Sequence, residues 1–166
     1  MTTTKRFLWV LLIILFLVPS GILSARVPPQ TASDVQVSAS AKPDKLKRGS
    51  TTQLSVTVEI PSGLHIQSNK PLDKFLVPTK LEVTAPQGMR VGPITYPRAI
   101  QRKLKFSKGV VAVYEGHSVI RFNVTVPSNY SGGSSEVRGN LRFQACNDDS
   151  CFPPITREVK VRLDVE

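Results

Sequence analysis

Cysteine is scarce in this chain, with two among 166 residues, and so are histidine, also two, and tryptophan, at one. Two cysteines cannot supply the dense disulfide framework on which very small exported folds rely, so they matter, if at all, as a single pair. The length accommodates one ordinary domain, which excludes a multi-domain enzyme and a polytopic membrane protein. No stretch keeps a helical period, no repeat recurs, and neither a Gly-rich phosphate loop nor a Ser-His-acid pattern is present. Long apolar runs are missing too. The longest, residues 7–18, falls short of the roughly 20 residues that a transmembrane helix needs.

That run instead has the layout of a secretory leader. Lys5 and Arg6 precede it, Pro19, Ser20 and Gly21 break it, and the small pair Ser24-Ala25 offers a cut. A signal peptide over residues 1–25 is the expectation. Leu23, bulkier than the residue preferred two positions before the cut, leaves an uncleaved amino-terminal anchor as the alternative. In both cases the rest of the chain is exported, to the periplasm in a bacterium, and the leader is its one expected contact with a membrane.

Acidic residues are also few, 12 against 22 Lys+Arg, for a net charge of +10. Losing Lys5 and Arg6 with the leader lowers the surplus by two, to +8, and losing Trp9 leaves a domain without tryptophan. Such a surplus invites a nucleic-acid or anionic-surface partner. The basic residues are spread over several predicted strands and loops, however, and an exported protein rarely meets nucleic acid. No nucleic-acid partner is expected.

What is abundant is alternation. After an aperiodic linker over residues 26–34, structure is expected over residues 35–166. Leu54, Val56, Val58 and Ile60 share one face of a predicted strand; Ile120, Phe122, Val124 and Val126 repeat the pattern, as do Val159, Val161, Leu163 and Val165. Shorter candidates span residues 35–40, 64–67, 80–84, 110–114 and 137–145. Thirteen prolines and ten glycines punctuate them. About eight short strands at roughly ten-residue spacing predict an all-β protein, an antiparallel sandwich or barrel. Residues 96–108 are the least strand-like and read as a long exposed loop, of a length that is usually functional or disordered.

The cysteines lie close together. Cys146 ends one predicted strand, Asn147-Asp148-Asp149-Ser150 follow, and Cys151 stands before Phe152-Pro153-Pro154 and the last strand. The spacing suits a bridge across the mouth of a hairpin, where β-carbons approach to about 4 Å. A structural staple is the plain reading. Yet closing a loop of about six residues gives only about 2 kcal/mol in the chain-entropy account, and a short bridge in a polar loop is open to another protein's thiolate. Asp148 and Asp149 oppose a thiolate beside them, so a partner thiol would have to arrive activated. His65 and His117 with the cysteines would make a Cys2His2 set, but their spacing is unlike a metal finger, and histidines in a β-protein are more often surface or satisfied polar groups. No metal and no cofactor is expected.

The stretch from Leu141 to Pro154, with Arg142-Phe143-Gln144-Ala145-Cys146 and Cys151-Phe152-Pro153-Pro154, resembles the signature of the amino-terminal periplasmic domain of the DsbD family of thiol:disulfide interchange proteins. Gly63-Leu64-His65-Ile66-Gln67-Ser68-Asn69-Lys70-Pro71 followed by Pro78-Thr79-Lys80-Leu81 is similar to an earlier stretch of that domain, and Val113-Tyr114-Glu115-Gly116 to a third. The resemblance implies an immunoglobulin-like sandwich in which Cys146 and Cys151 relay reducing equivalents to or from exported thioredoxin-fold proteins, with no small-molecule substrate. Either cysteine could join the partner; Cys151, flanked by Phe152-Pro153, is preferred over Cys146. The resemblance also implies a cap loop that shields the disulfide with an aromatic side chain, Phe106 in the first place and Tyr96 as the alternative. Full-length members carry a multi-span membrane segment and a thioredoxin-like domain. This sequence reaches Glu166 without them, so a separate membrane electron transporter is expected to supply its electrons. The competing expectation is a non-catalytic immunoglobulin-like interaction domain whose disulfide only pins a hairpin.

Overall fold

A computed structural model describes residues 29–166, so the expected leader lies outside the described residues. The alternating runs fold into two facing four-stranded sheets. The first has the order β1-β3-β9-β6, with β1 Gln36–Lys42, β3 Thr51–Ile60, β6 Arg90–Val91 and β9 Gly116–Thr125. The second has the order β2-β12-β10-β5, with β2 Lys45–Leu46, β5 Lys80–Thr84, β10 Gly133–Phe143 and β12 Ile155–Val165. Leu54, Val56 and Val58 of β3 and Ile120, Phe122 and Val124 of β9 turn inward from one side. Val137, Leu141 and Phe143 of β10 and Val159, Val161 and Leu163 of β12 meet them from the other. Strands with period two present every second side chain to one face, so each alternating run fills one layer of this core.

The described residues form twelve strands, more than the eight expected, because short strands without alternation also pair. One pairing departs from the antiparallel scheme: β2 runs parallel to the end of β12, with Lys45 beside Asp164 and Leu46 beside Val165. The end of the expected linker is ordered. Thr31 and Asp34 cap each other across a 3-10 turn, Ala32–Asp34, which buries Ala32 in the core, and Arg157 Nη2 donates to Ser33 O at 3.1 Å.

A third sheet extends one end of the sandwich, in the order β11-β4-β8-β7, with β4 His65–Gln67, β7 Ile100–Lys103, β8 Val110–Tyr114 and β11 Ala145–Cys146. Three of its strands continue long strands of the sandwich after a break in the chain. The turn between β3 and β4 closes with Leu64 N–H donating to Pro61 O at 3.0 Å, and Gly63 there takes φ +85°, a conformation that disfavours side chains. Gly116, at φ +57°, makes the corresponding step from β8 into β9. Residues 96–108 are therefore not an unstructured loop. They hold β7, whose Ile100 to Lys103 pair with Val113 to Val110 of β8. Every β7 residue is exposed, so it carries no alternation; Arg102 and Lys103 suit the edge of a sheet, where charge discourages further pairing.

Candidate functional site

The three stretches that carry the family resemblance become three adjacent strands. β4 lies between β11, which carries Cys146, and β8, which ends in Tyr114 just before Glu115. Cys146 and Cys151 form a disulfide with their Cα atoms 3.9 Å apart, facing each other as an antiparallel bridge. The turn between them is held from within. Asn147 Oδ1 accepts from the backbone N–H of Asp149 at 3.0 Å and of Ser150 at 2.8 Å, and Asn147 N–H donates to Ser150 O at 2.9 Å. Beyond it, Phe152 N–H returns to Ala145 O at 2.8 Å. The two sulfurs are not equivalent: Cys146 is fully buried, whereas Cys151 is half-buried.

Directly across the ladder from Cys146 stands His65. Facing residues of an antiparallel pair project to the same side, and here that side is polar. His65 is buried between two carboxylates, with Nδ1 2.7 Å from Glu115 Oε1 and Nε2 3.2 Å from Asp148 Oδ1. Each ring nitrogen thus faces one carboxylate oxygen. Arg102 completes the row with a two-pronged bond to Glu115, Nε to Oε1 and Nη2 to Oε2, each 2.8 Å. Glu115 is consequently held below the usual carboxylate range, chiefly by the Arg102 hydrogen bond and further by His65, against the opposing effect of burial. Two residues along β4, Gln67 is completely buried and its Nε2 donates to Cys146 Sγ at 3.2 Å.

The β7–β8 connection covers the same loop. Ser107 N–H donates to Leu104 O at 3.1 Å, closing a turn with Lys105 and Phe106 at its tip. Lys105 N–H reaches Asp148 O at 2.9 Å, and Lys105 Nζ lies 3.0 Å from Asp149 Oδ1. Phe106 packs half-buried on a small apolar cluster of Leu104, Val111 and Val113. Tyr96 lies elsewhere: it packs on the main core and its hydroxyl accepts from Leu81 N–H at 2.9 Å. The two aspartates expected to oppose a thiolate are thus each met by a side-chain nitrogen, Asp148 by the His65 imidazole and Asp149 by the Lys105 ammonium. His117 is not drawn to the cysteines; it pairs with Glu59, its cross-strand neighbour, with Nδ1 2.6 Å from Oε1. Gln67 escaped the sequence reading. Its signal was the alternation of His65 and Gln67 within a strand leading into the cysteine ladder.

The profile described as thiol:disulfide interchange protein DsbD, N-terminal, matches residues 31–163. The chain belongs to the DsbD N-terminal domain family. Among solved structures, the N-terminal periplasmic domain of ScsB from Proteus mirabilis aligns with a TM-score of 0.51 and 15% identity, over 81% of this chain and 49% of that one. This chain thus spans about half of that ScsB domain. The DsbD N-terminal domain of Neisseria meningitidis in its reduced form aligns with a TM-score of 0.43 and 15% identity, over 67% of this chain and 77% of that one. No curated protein matches by sequence. Among the described residues no helix is long and apolar enough to cross a membrane. The fold is the immunoglobulin-like sandwich of this DsbD family, and the cysteine pair forms a disulfide within the matched residues.

The charge row generates a pH test. A carboxylate whose folded-state pKa is depressed stabilises the fold above the ordinary carboxylate range, and that contribution disappears as pH falls through the depressed value. Glu115→Gln should therefore cost about 1–3 kcal/mol at neutral pH, the scale of a charge-assisted hydrogen bond. The gap to the unmodified protein should narrow on acidification. Urea unfolding at neutral and acid pH measures it, and a gap that does not change with pH would refute the assignment.

Proposed function

We propose that this DsbD-family domain is an exported, periplasmic thiol:disulfide exchange module that passes reducing equivalents through Cys146 and Cys151 to or from thioredoxin-fold proteins. The observation that carries this reading is the asymmetry of the pair: one sulfur half-buried and reachable, the other fully buried and hydrogen-bonded. A partner thiolate attacks Cys151 Sγ, the Cys151–partner bond forms as the Cys151–Cys146 bond breaks, and Cys146 leaves as a thiolate. The partner's second thiol, deprotonated, then attacks the partner sulfur of the mixed disulfide and releases Cys151 as a thiolate. Two electrons pass to the domain, both sulfurs take up protons, and the partner becomes a disulfide. The reverse sequence reduces an oxidised partner, and a separate membrane electron transporter recharges the pair.

The turn at residues 104–108 serves as the cap in this reading, with Phe106 as its apolar cover and Lys105 as its latch on Asp148 and Asp149. Tyr96, committed to the main core, supports the sheet rather than the cap. Beside the cap lies a cavity of about 370 Å³ lined by Phe75, Leu76, Phe106 and Lys108 among others, and Phe75 is 81% exposed. A large apolar side chain left in water next to a reactive loop suits contact with a protein partner.

Two experiments test the proposal. With Cys146→Ser, the remaining Cys151 should hold a mixed disulfide with a periplasmic thioredoxin-fold protein, and Cys151→Ser should hold far less. Absence of adducts from both variants would leave the domain as a non-catalytic interaction module. Phe106→Ala should speed reduction of the disulfide by a small dithiol by roughly ten-fold, because access governs exchange. An unchanged rate would remove Phe106 from the shield.

A further inference from the structure

Gln67 poses a problem of economy. Its side chain is fully buried, its Nε2 spends its contact on a sulfur, and its Oε1 is, among the described residues, the buried side-chain polar atom that finds no hydrogen-bond partner. A methionine or leucine would fill the same space without an unpaired oxygen, and buried polar groups are ordinarily paired. The strand around it is held firmly. Gln67 N–H donates to Gln144 O at 3.0 Å, and Gln67 O accepts from the Thr79 hydroxyl. A rigid backbone therefore aims an amide with one spare acceptor at the buried sulfur of the cysteine pair.

Building on the exchange role proposed for the pair, we propose that Gln67 is a catalytic residue of that exchange, holding Cys146 as the leaving thiolate through its amide N–H and accepting from the Cys146 thiol through Oε1 after reduction. A disulfide sulfur is a weak acceptor, whereas a thiolate carries a full charge. The Nε2–H···Sγ bond therefore strengthens as the Cys146–Cys151 bond breaks, which is stabilisation that grows along the reaction rather than in the resting state. When the thiolate takes up its proton, the sulfur becomes a donor. A half-turn of the amide about its last side-chain bond then brings Oε1 to the S–H and satisfies the orphaned oxygen. One side chain thus serves both redox states through a turn of its amide alone.

The charged and titratable groups around Cys146 are shared between the two states. His65 on β4 lies opposite it, Asp148 and Asp149 stand in the turn, Lys105 reaches in from the cap, and Glu115 with Arg102 backs His65. These groups set the general field, and among them Gln67 is the neutral donor bonded to the sulfur itself.

The test uses the full chain and needs no protein partner, so it is separable from adduct trapping. In a Cys151→Ser background, the ultraviolet absorbance of the Cys146 thiolate is followed against pH with and without Gln67→Met. Methionine keeps the length and removes both polar atoms. The Cys146 pKa should rise by about one unit, the effect of one charge-assisted hydrogen bond, and dithiothreitol should reduce the otherwise intact Gln67→Met protein about ten-fold more slowly. An unchanged pKa with an unchanged rate overturns the proposal, whatever the thermal stability of the variant does. If Gln67→Met does not fold, the Gln67 side-chain amide resonances of the Cys151→Ser protein decide: they should shift in step with Cys146 ionisation, and resonances that stay still through that titration overturn it. Loss of partner adducts with these sulfur properties intact would count against the exchange role and not against the contact.

Discussion

A ladder of two rungs, Ala145 with Ile66 and Cys146 with His65, joins the disulfide loop to the body of the protein. Everything at the site depends on its register. Because side chains alternate along a strand, a slip of one residue would turn His65 and Gln67 away from Cys146 and put Ile66 in their place. The ladder in turn depends on β4 pairing with β8 on its other side, which fixes Ile66 against Tyr114 and Gln67 against Val113. The long sandwich strands hold this small sheet: β3 leads into β4, β8 into β9, and β10 into β11 through Gln144. That last residue adds a clamp, its Oε1 accepting from Val77 N–H at 3.0 Å and its Nε2 donating to Phe152 O at 3.2 Å.

Within that frame the charges are arranged to cancel locally. Arg102, Glu115, His65 and Asp148 form a hydrogen-bonded row across β7, the end of β8, β4 and the cysteine turn, and Lys105 answers Asp149. Much of this row is solvated, so its worth as stability is modest; its worth as orientation is larger, since it ties the turn to both β4 and the β7–β8 connection. The disulfide is likewise a modest staple, because it closes a short loop. A pair that contributes little to stability, yet has a buried amide bonded to one of its sulfurs, suits the exchange role proposed for it.

The sandwich was legible because its strands are long and alternate: the runs at 54–60, 120–126 and 159–165 each became one face of a core layer. β7 was not, since four exposed residues carry no periodic signal and its strand character comes wholly from pairing with β8. The 3-10 turn after residue 31 was hidden for a similar reason, three residues being too few to show a period. At the site, the cysteine pair could be picked out from motif and spacing. The His65–Glu115 and Gln67–Cys146 contacts could not, because they join residues 50 and 79 positions apart and exist only once β4 is set between β8 and β11.

The central claim is that the Cys146–Cys151 pair exchanges electrons rather than pinning a hairpin. The most direct measurement is its reduction potential, by equilibration of the intact protein with dithiol buffers of known poise. The account predicts a value above about −300 mV, within reach of exported thiol proteins. A potential below that, in the range of inert structural bridges, would contradict it.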